Sequence, residues 1–196
     1  MNRMNPGEKT LKDKIISAAW ELFREKGFNH TTIDDIINKS GVSKGSFYYH
    51  FNKKDDLLDT LALVLDDYYE EMEKEIPAET NSIEKLLILN YKAHAMIEKD
   101  ISLEILASLY STQLLAQGQG SLLNRNRKYY TLVNKIVEEG QTNGEITVEL
   151  TCNEITKYYA VCERALVYDW CLSKGEYSLA EYSRKMMPYM IGKLKA

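Results

Sequence analysis

Apolar residues recur three and four positions apart along almost the whole of this chain, and nowhere do they settle into sustained alternation of period two. A helix gathers residues of the first spacing onto one face, whereas a half-buried strand needs the second, so the pattern implies an all-α fold. Only Pro6, Pro77 and Pro188 interrupt the 196 residues, and proline inside a helix removes a hydrogen bond and clashes with the preceding turn.

About nine helices follow from that spacing. The first begins near Thr10, carries Leu11, Ile15, Ala18, Ala19, Leu22 and Phe23, and stops at Gly27. A short second helix starts at Thr31-Thr32 and ends at Ser40-Gly41, and a third runs from a Ser43 cap to about Phe51. Ser and Thr suit these starts because their hydroxyls accept from the free amides of the first turn. After the polar break Asn52-Lys53-Lys54-Asp55, a long helix carries Leu57, Leu61, Leu65, Tyr68, Met72 and Ile76 up to Pro77. Five more are expected: Ile83 to Glu98, Ile101 to about Leu115, Leu122 to about Asn143, Thr151 to Lys174, and Ser178 to the C-terminus, the last loosened by Pro188. Gln117-Gly118-Gln119-Gly120 is flexible punctuation.

Composition narrows the function. The longest apolar run is Leu61-Ala62-Leu63-Val64-Leu65, against the ~20 residues a membrane span needs. No apolar segment follows Met1, so no secretory signal is visible and a cytoplasmic location is expected. Cys152, Cys162 and Cys171 read as reduced thiols, and with spacings of ten and nine they do not share one helix face. No paired-cysteine metal spacing, glycine-rich phosphate loop or nucleophile elbow occurs, so neither an enzyme nor a bound metal or cofactor is expected. The net charge of −4 is uneven: residues 1–55 hold ten Lys/Arg against seven Asp/Glu, a net of +3, and the remainder fifteen against twenty-two, a net of −7. A basic head on an acidic body hints at a polyanion-binding end.

Residues 31–51, TTIDDIINKSGVSKGSFYYHF, are the informative stretch. Ile33, Ile36 and Ile37 face inward on the first short helix, and Val42, Phe47 and Phe51 do so around the second, with Gly41 in the tight turn between them. That is a helix-turn-helix pattern. The outward residues of its second helix are Ser43, Lys44, Gly45, Ser46, Tyr48, Tyr49 and His50. Hydroxyls, an ammonium and an imidazole donate hydrogen bonds to phosphates and base edges, and the small Gly45 and Ser46 allow close approach to a groove. Thr32 is a helix cap that also stands where free amides favour a phosphate. Lys54 adds a positive charge, and at most one of Tyr48 and Tyr49 is expected to be well buried.

The run from Phe23-Arg24-Glu25-Lys26-Gly27-Phe28 through Thr31-Thr32-Ile33 and Ser43 to Phe51, and on to Lys53-Lys54-Asp55-Asp56-Leu57-Leu58, resembles the DNA-binding signature of the TetR family of bacterial transcriptional repressors. The resemblance covers roughly the first 60 residues densely. Gly140 followed by Gly144-Glu145-Ile146 also looks like the usual end of that family's seventh helix. The resemblance implies an N-terminal DNA-binding domain, residues 1–53, and a C-terminal effector-binding and dimerisation domain, residues 54–196. It implies DNA contacts at Thr32, Ser43, Lys44, Gly45, Ser46, Tyr48, Tyr49, His50 and Lys54. It further implies a homodimer formed through the last two helices, with recognition helices ~34–36 Å apart or somewhat more on a near-palindromic operator.

By the same resemblance, an unidentified small molecule that binds the C-terminal body would release the DNA by population shift, with the fourth helix as link. Tyr91, His94, Tyr110, Tyr129, Tyr159 and Cys162 are the candidates to meet it, core packing being the alternative for each. Glu163 and Arg164, inside an otherwise apolar helix, read either as a polar network or as a solvated edge. For the dimer face, Ile155, Cys162, Leu166, Leu179, Tyr182, Met186 and Met190 form suitable stripes, with the monomer core as the competing use. A DNA-binding regulator without an effector, or one controlled by a protein partner, is the alternative function.

Overall fold

A computed structural model describes residues 10–115 and 121–196, so the expected Gln117–Gly120 break lies outside the described residues. Nine α-helices occur among them: α1 Leu11–Lys26, α2 Ile33–Ser40, α3 Lys44–His50, α4 Leu61–Glu75, α5 Ser82–Asp100, α6 Leu103–Leu115, α7 Lys128–Thr142, α8 Cys152–Leu172 and α9 Leu179–Met190. The all-α expectation therefore holds, and extended pairing among the described residues is limited to one bridge between Ile146 and Lys195.

Most helix starts follow from single side chains. Thr10 with Asp13, Thr32 with Asp35, and Thr151 with Glu154 form reciprocal capping boxes at α1, α2 and α8. Ser43 and Ser178 cap α3 and α9 by accepting from the amides of Ser46 and Glu181. Each pairing satisfies amides that the helix leaves free, which stabilises by about 1 kcal/mol. Gly41 closes α2 in the left-handed region, φ +67°, where a Cβ is disfavoured.

Three boundaries differ from expectation. Lys54–Thr60 forms a 3₁₀ segment before α4 begins at Leu61. α7 starts at Lys128 and not near Leu122, because the Asn124 side chain accepts from the Asn126 amide at 3.0 Å and makes a turn there. α9 ends at Met190, with Pro188 inside its last turn, and a short 3₁₀ turn follows at Gly192–Leu194.

By packing, the chain divides into two compact units. The first comprises the residues up to Leu61 together with Glu104–Leu122, so α6 packs with the N-terminal helices. Its core holds Ile15, Ala19, Phe23, Phe28, Ile36, Phe47, Phe51, Leu57 and Leu58, joined by Ile105, Leu106 and Leu109 of α6. Leu11, expected on the buried stripe of α1, is half exposed. Trp20 Nε1 donates to Thr60 Oγ1 at 2.9 Å, tying α1 to the 3₁₀ segment.

The second unit comprises Ala62–Leu103 and Leu123–Ala196. Its centre is built from Leu86 and Leu89 of α5, Val133 and Val137 of α7, Tyr159 of α8 and Met187 of α9. Gly140 allows the chain after α7 to fold back: a Cβ there would lie 2.6 Å from Ile146 Cδ1 and 2.8 Å from Ser82 Cβ. Among the described residues, no helix is long and apolar enough to cross a membrane.

Candidate nucleic-acid interface and buried polar cluster

The first unit presents α3 as a two-sided helix. Phe47 is fully buried and sits edge-on to Tyr48 and near Phe51, which anchors the inner side. Val42 is buried as well. On the outer side Tyr49 is 86% exposed and Tyr48 44% exposed, so both tyrosines face solvent. Lys44 is exposed and comes within only 4.0 Å of Asp34, an ion pair of little strength at such exposure. At Gly45 an added Cβ would meet nothing closer than Ser43 Oγ at 3.8 Å, which leaves room for a partner. Ser43 and Ser46 share a hydroxyl hydrogen bond at 3.0 Å. His50 is half-buried and packs edge-on against the Tyr49 ring.

Thr32 is exposed, and its hydroxyl accepts from the Asp35 amide and donates to the Asp35 carboxylate. The Lys26 ammonium, and then Thr32, hold that carboxyl well below the usual carboxylate range. Lys54 stands apart from the outward set. Its ammonium donates inward to the carbonyls of Phe28 at 2.6 Å and Thr31 at 2.9 Å.

The second unit contains a polar cluster that is closed to solvent. Asn90 and His94 project from α5, Tyr129 from α7, Tyr159 and Glu163 from α8, and Ser183 from α9; all are buried. Tyr129 donates its hydroxyl to Glu163, and Asn90 Nδ2 donates to the other Glu163 oxygen at 3.1 Å. His94 Nδ1 bonds Ser183 Oγ. Tyr159 donates to the Leu86 carbonyl at 2.8 Å, and Tyr69 packs its ring 5.1 Å from that of Tyr129. Burial pushes the Glu163 carboxyl up, while the Tyr129 and Asn90 donors pull it back. Burial lowers His94 to about 3, so it is neutral near pH 7. Asn90 Oδ1, also buried, accepts from nothing among the described residues.

Of the sequence candidates, His94, Tyr129 and Tyr159 meet in this cluster, and buried Cys162 lies one residue from Glu163. Tyr91 does not: it is half-buried between Glu181 and Arg184 of α9. Tyr110 belongs to α6 and so to the first unit. Asn90 and Ser183 escaped sequence reading. Asn90 precedes His94 by four residues and so shares its face, a signal that was available; nothing local marks Ser183.

Four of the seven residues in the candidate dimer stripes take the competing use, the monomer core. Ile155, Cys162, Leu166 and Leu179 are buried within this chain. α8 instead exposes Tyr158, Val161, Tyr168 and Leu172, spaced to line one face, and α9 exposes Tyr182 and Tyr189. The Tyr158 hydroxyl donates to the Met190 carbonyl at 2.5 Å and joins the two exposed rows.

A buried anchor beneath a solvent-facing row of hydrogen-bond donors, on the second helix of a helix-turn-helix, defines a DNA-binding regulator. Residues 15–61 match the sequence model described as "Bacterial regulatory proteins, tetR family", and residues 62–193 match "YsiA-like protein, C-terminal region". The HTH-type transcriptional regulator QacR of Staphylococcus aureus is 32% identical over 163 residues, covering 80% of this chain and 84% of that protein. In fold, the chain is similar to Bacillus subtilis FadR crystallised with stearoyl-CoA (TM-score 0.69, 23% identity, 92% of this chain and 97% of that one). It is similar also to Thermus thermophilus FadR crystallised with lauroyl-CoA (TM-score 0.77, 19% identity, 94% and 95%). The chain belongs to the tetR family of bacterial regulatory proteins. It is a sequence-specific DNA-binding transcriptional regulator, and the family's partners are operator DNA, a second copy of the chain and a small-molecule effector.

Proposed function

We propose that this chain represses transcription as a homodimer that seats one α3 per protomer in successive major grooves, through Ser43, Lys44, Gly45, Ser46, Tyr48, Tyr49 and His50, with Thr32 at the phosphate edge. It acts in the cytoplasm, where operator DNA lies, and carries no catalytic function. Ser183 is fully buried, and its bond to His94 falls on Nδ1, the same nitrogen that Asn90 approaches, so the three form no relay through both ring nitrogens. The observation that carries the DNA-binding reading is the division of α3 between a fully buried Phe47 and a freely exposed Tyr49.

Fluorescence anisotropy against the DNA upstream of its own coding region tests it. Saturable binding to a near-palindrome is expected, with affinity falling by about 10³ or more between 50 and 200 mM salt if six or more phosphates are contacted. No specific binding at low salt would overturn it.

The effector site we assign to the Asn90–Glu163 cluster. Because the cluster is buried, a ligand would select an opened form of the body, which is how binding would shift the population away from DNA. One acceptor there is unused, Asn90 Oδ1, and it stands beside the Glu163 carboxyl in a ring of tyrosines. That chemistry favours an aromatic or cationic compound bearing N–H donors. The fold likeness to acyl-CoA-bound FadR structures favours a second reading, an acyl-CoA thioester. Adding lauroyl-CoA or an aromatic dication to the preformed operator complex separates the two. Release by the dication, lost in Glu163→Gln, supports the first; release by lauroyl-CoA alone establishes the second.

The exposed α8–α9 face supplies the dimer surface in this reading. Replacing Tyr168 and Leu172 together by glutamate is expected to convert the dimer to monomer in light scattering after gel filtration. A dimer that persists at micromolar protein would place the interface elsewhere.

A further inference from the structure

The turn between α1 and α2, Gly27 to Thr32, is held by two charged side chains from distant parts of the same compact unit. Lys54 Nζ donates to the Phe28 carbonyl at 2.6 Å and the Thr31 carbonyl at 2.9 Å, and lies 4.3 Å from the centroid of the Phe28 ring. From the first turn of α6, Glu104 Oε1 accepts the Asn29 amide at 2.6 Å. The second carboxylate oxygen would lie 3.0 Å from a Cβ at Gly27, whose φ is +85°. A cation thus grips the turn's carbonyls, and an anion grips its amide. Charge-assisted bonds of this kind are about twice as strong as neutral ones. Thr31 adds its hydroxyl to the Gly27 carbonyl at 2.8 Å. The next residue, Thr32, caps α2, and α2 leads through Gly41 into α3.

We propose that Lys54 and Glu104 are positioning residues for DNA recognition: together they fix the α1–α2 turn, and so the pose of α2 and α3, and Glu104 makes that pose depend on where the first turn of α6 stands. Lys54 then serves operator binding through the turn, and the phosphate contact that family resemblance implies for it is replaced. The proposal rests on the DNA-binding reading above, and wild-type operator binding, measured first, tests that reading separately.

The decisive experiment compares Glu104→Ala, Glu104→Gln and Lys54→Met in operator titrations over a range of salt. Removing an anion from a DNA-binding unit should, on charge alone, leave affinity for DNA unchanged or raise it. Positioning requires the opposite. Glu104→Ala is expected to weaken operator binding tenfold or more, and Glu104→Gln, which keeps an acceptor oxygen for Asn29, to stay within about threefold of wild type. Lys54→Met is expected to lower affinity without changing the salt slope. Losing one phosphate contact per protomer would instead reduce the slope of a dimer by about 1.8.

Glu104→Ala binding as tightly as wild type, or a reduced slope for Lys54→Met, would overturn the corresponding half. A measurement on the wild-type protein guards against variants that fail to fold. The Asn29 amide is expected to exchange with solvent at least tenfold more slowly than a free peptide amide, and exchange at the free rate would overturn the Glu104 bond.

Discussion

Replacing Lys44 and Tyr49 together by alanine is expected to weaken operator binding about a hundredfold while leaving the thermal midpoint within about 2 °C of wild type. The stability half follows from exposure. Tyr49 is 86% exposed and the Lys44 side chain 69%, so neither fills the core, and surface substitutions away from special features stay within about 0.5 kcal/mol. The binding half follows from symmetry. Two side chains per protomer make four lost contacts in a dimer, and a hundredfold loss, about 2.8 kcal/mol, asks about 0.7 kcal/mol of each, within the usual net range of a hydrogen bond.

The two single variants are expected to differ in salt dependence. Lys44→Ala removes a cation from each half-site and should reduce the salt slope by up to about 1.8, whereas Tyr49→Ala should lower affinity at an unchanged slope. Anisotropy titrations of both single variants and the double variant over 50 to 200 mM salt give all of this. An unchanged affinity for the double variant would remove α3 from the interface.

Which parts of this molecule can be read in its sequence depends on how far apart the interacting groups lie. The helix-turn-helix is local throughout. Thr32 and Asp35 are three residues apart, Ser43 and Ser46 likewise, and Gly41 needs only its own backbone freedom, so a one-dimensional pattern carries the whole unit. The beginning of α7 is also local, but it is a competition. The apolar spacing from Leu122 onward suits a helix, and the Asn124 turn prevails until Lys128.

α8 is harder for a different reason. It is apolar on two faces, Ile155, Tyr159, Cys162 and Leu166 on the buried side and Tyr158, Val161, Tyr168 and Leu172 on the exposed one. Periodicity reveals each stripe without saying which packs inside the chain. The bonds that matter most to the proposals are long-range: Asn90 to Glu163 spans 73 residues, His94 to Ser183 spans 89, and Asn29 to Glu104 spans 75. A histidine or glutamate on an apolar face signals that some partner must exist, and the fold identifies it.

His94 makes the second large prediction, which concerns pH. Buried on α5 and bonded to Ser183, it has its pKa lowered by burial from 6.5 to about 3. A base whose folded pKa lies below its unfolded value contributes stability in full above pH 6.5, and loses it progressively as pH falls towards 3. In that window the unfolded chain binds a proton that the folded chain refuses. Between pH 7 and pH 5 the loss amounts to about 2 kcal/mol per protomer, at about 1.36 kcal/mol per pH unit below the unfolded pKa.

Glu163, linked to His94 through Asn90, works in the other direction. Its pKa is raised by burial, so its contribution is complete below the ordinary carboxylate value and falls as pH rises through its folded pKa. The two slopes oppose one another over part of the range, and the raw pH profile of wild-type stability mixes them. Comparison with His94→Gln isolates the histidine, because the variant keeps Glu163 and a polar partner for Ser183 but cannot titrate. Urea unfolding at pH 7 and pH 5, at one fixed protomer concentration because dimerisation is linked to stability, is expected to show wild type losing about 2 kcal/mol more than the variant. Equal losses would mean that His94 takes up its proton in the folded state, and the cluster would then have to admit a charge at its centre.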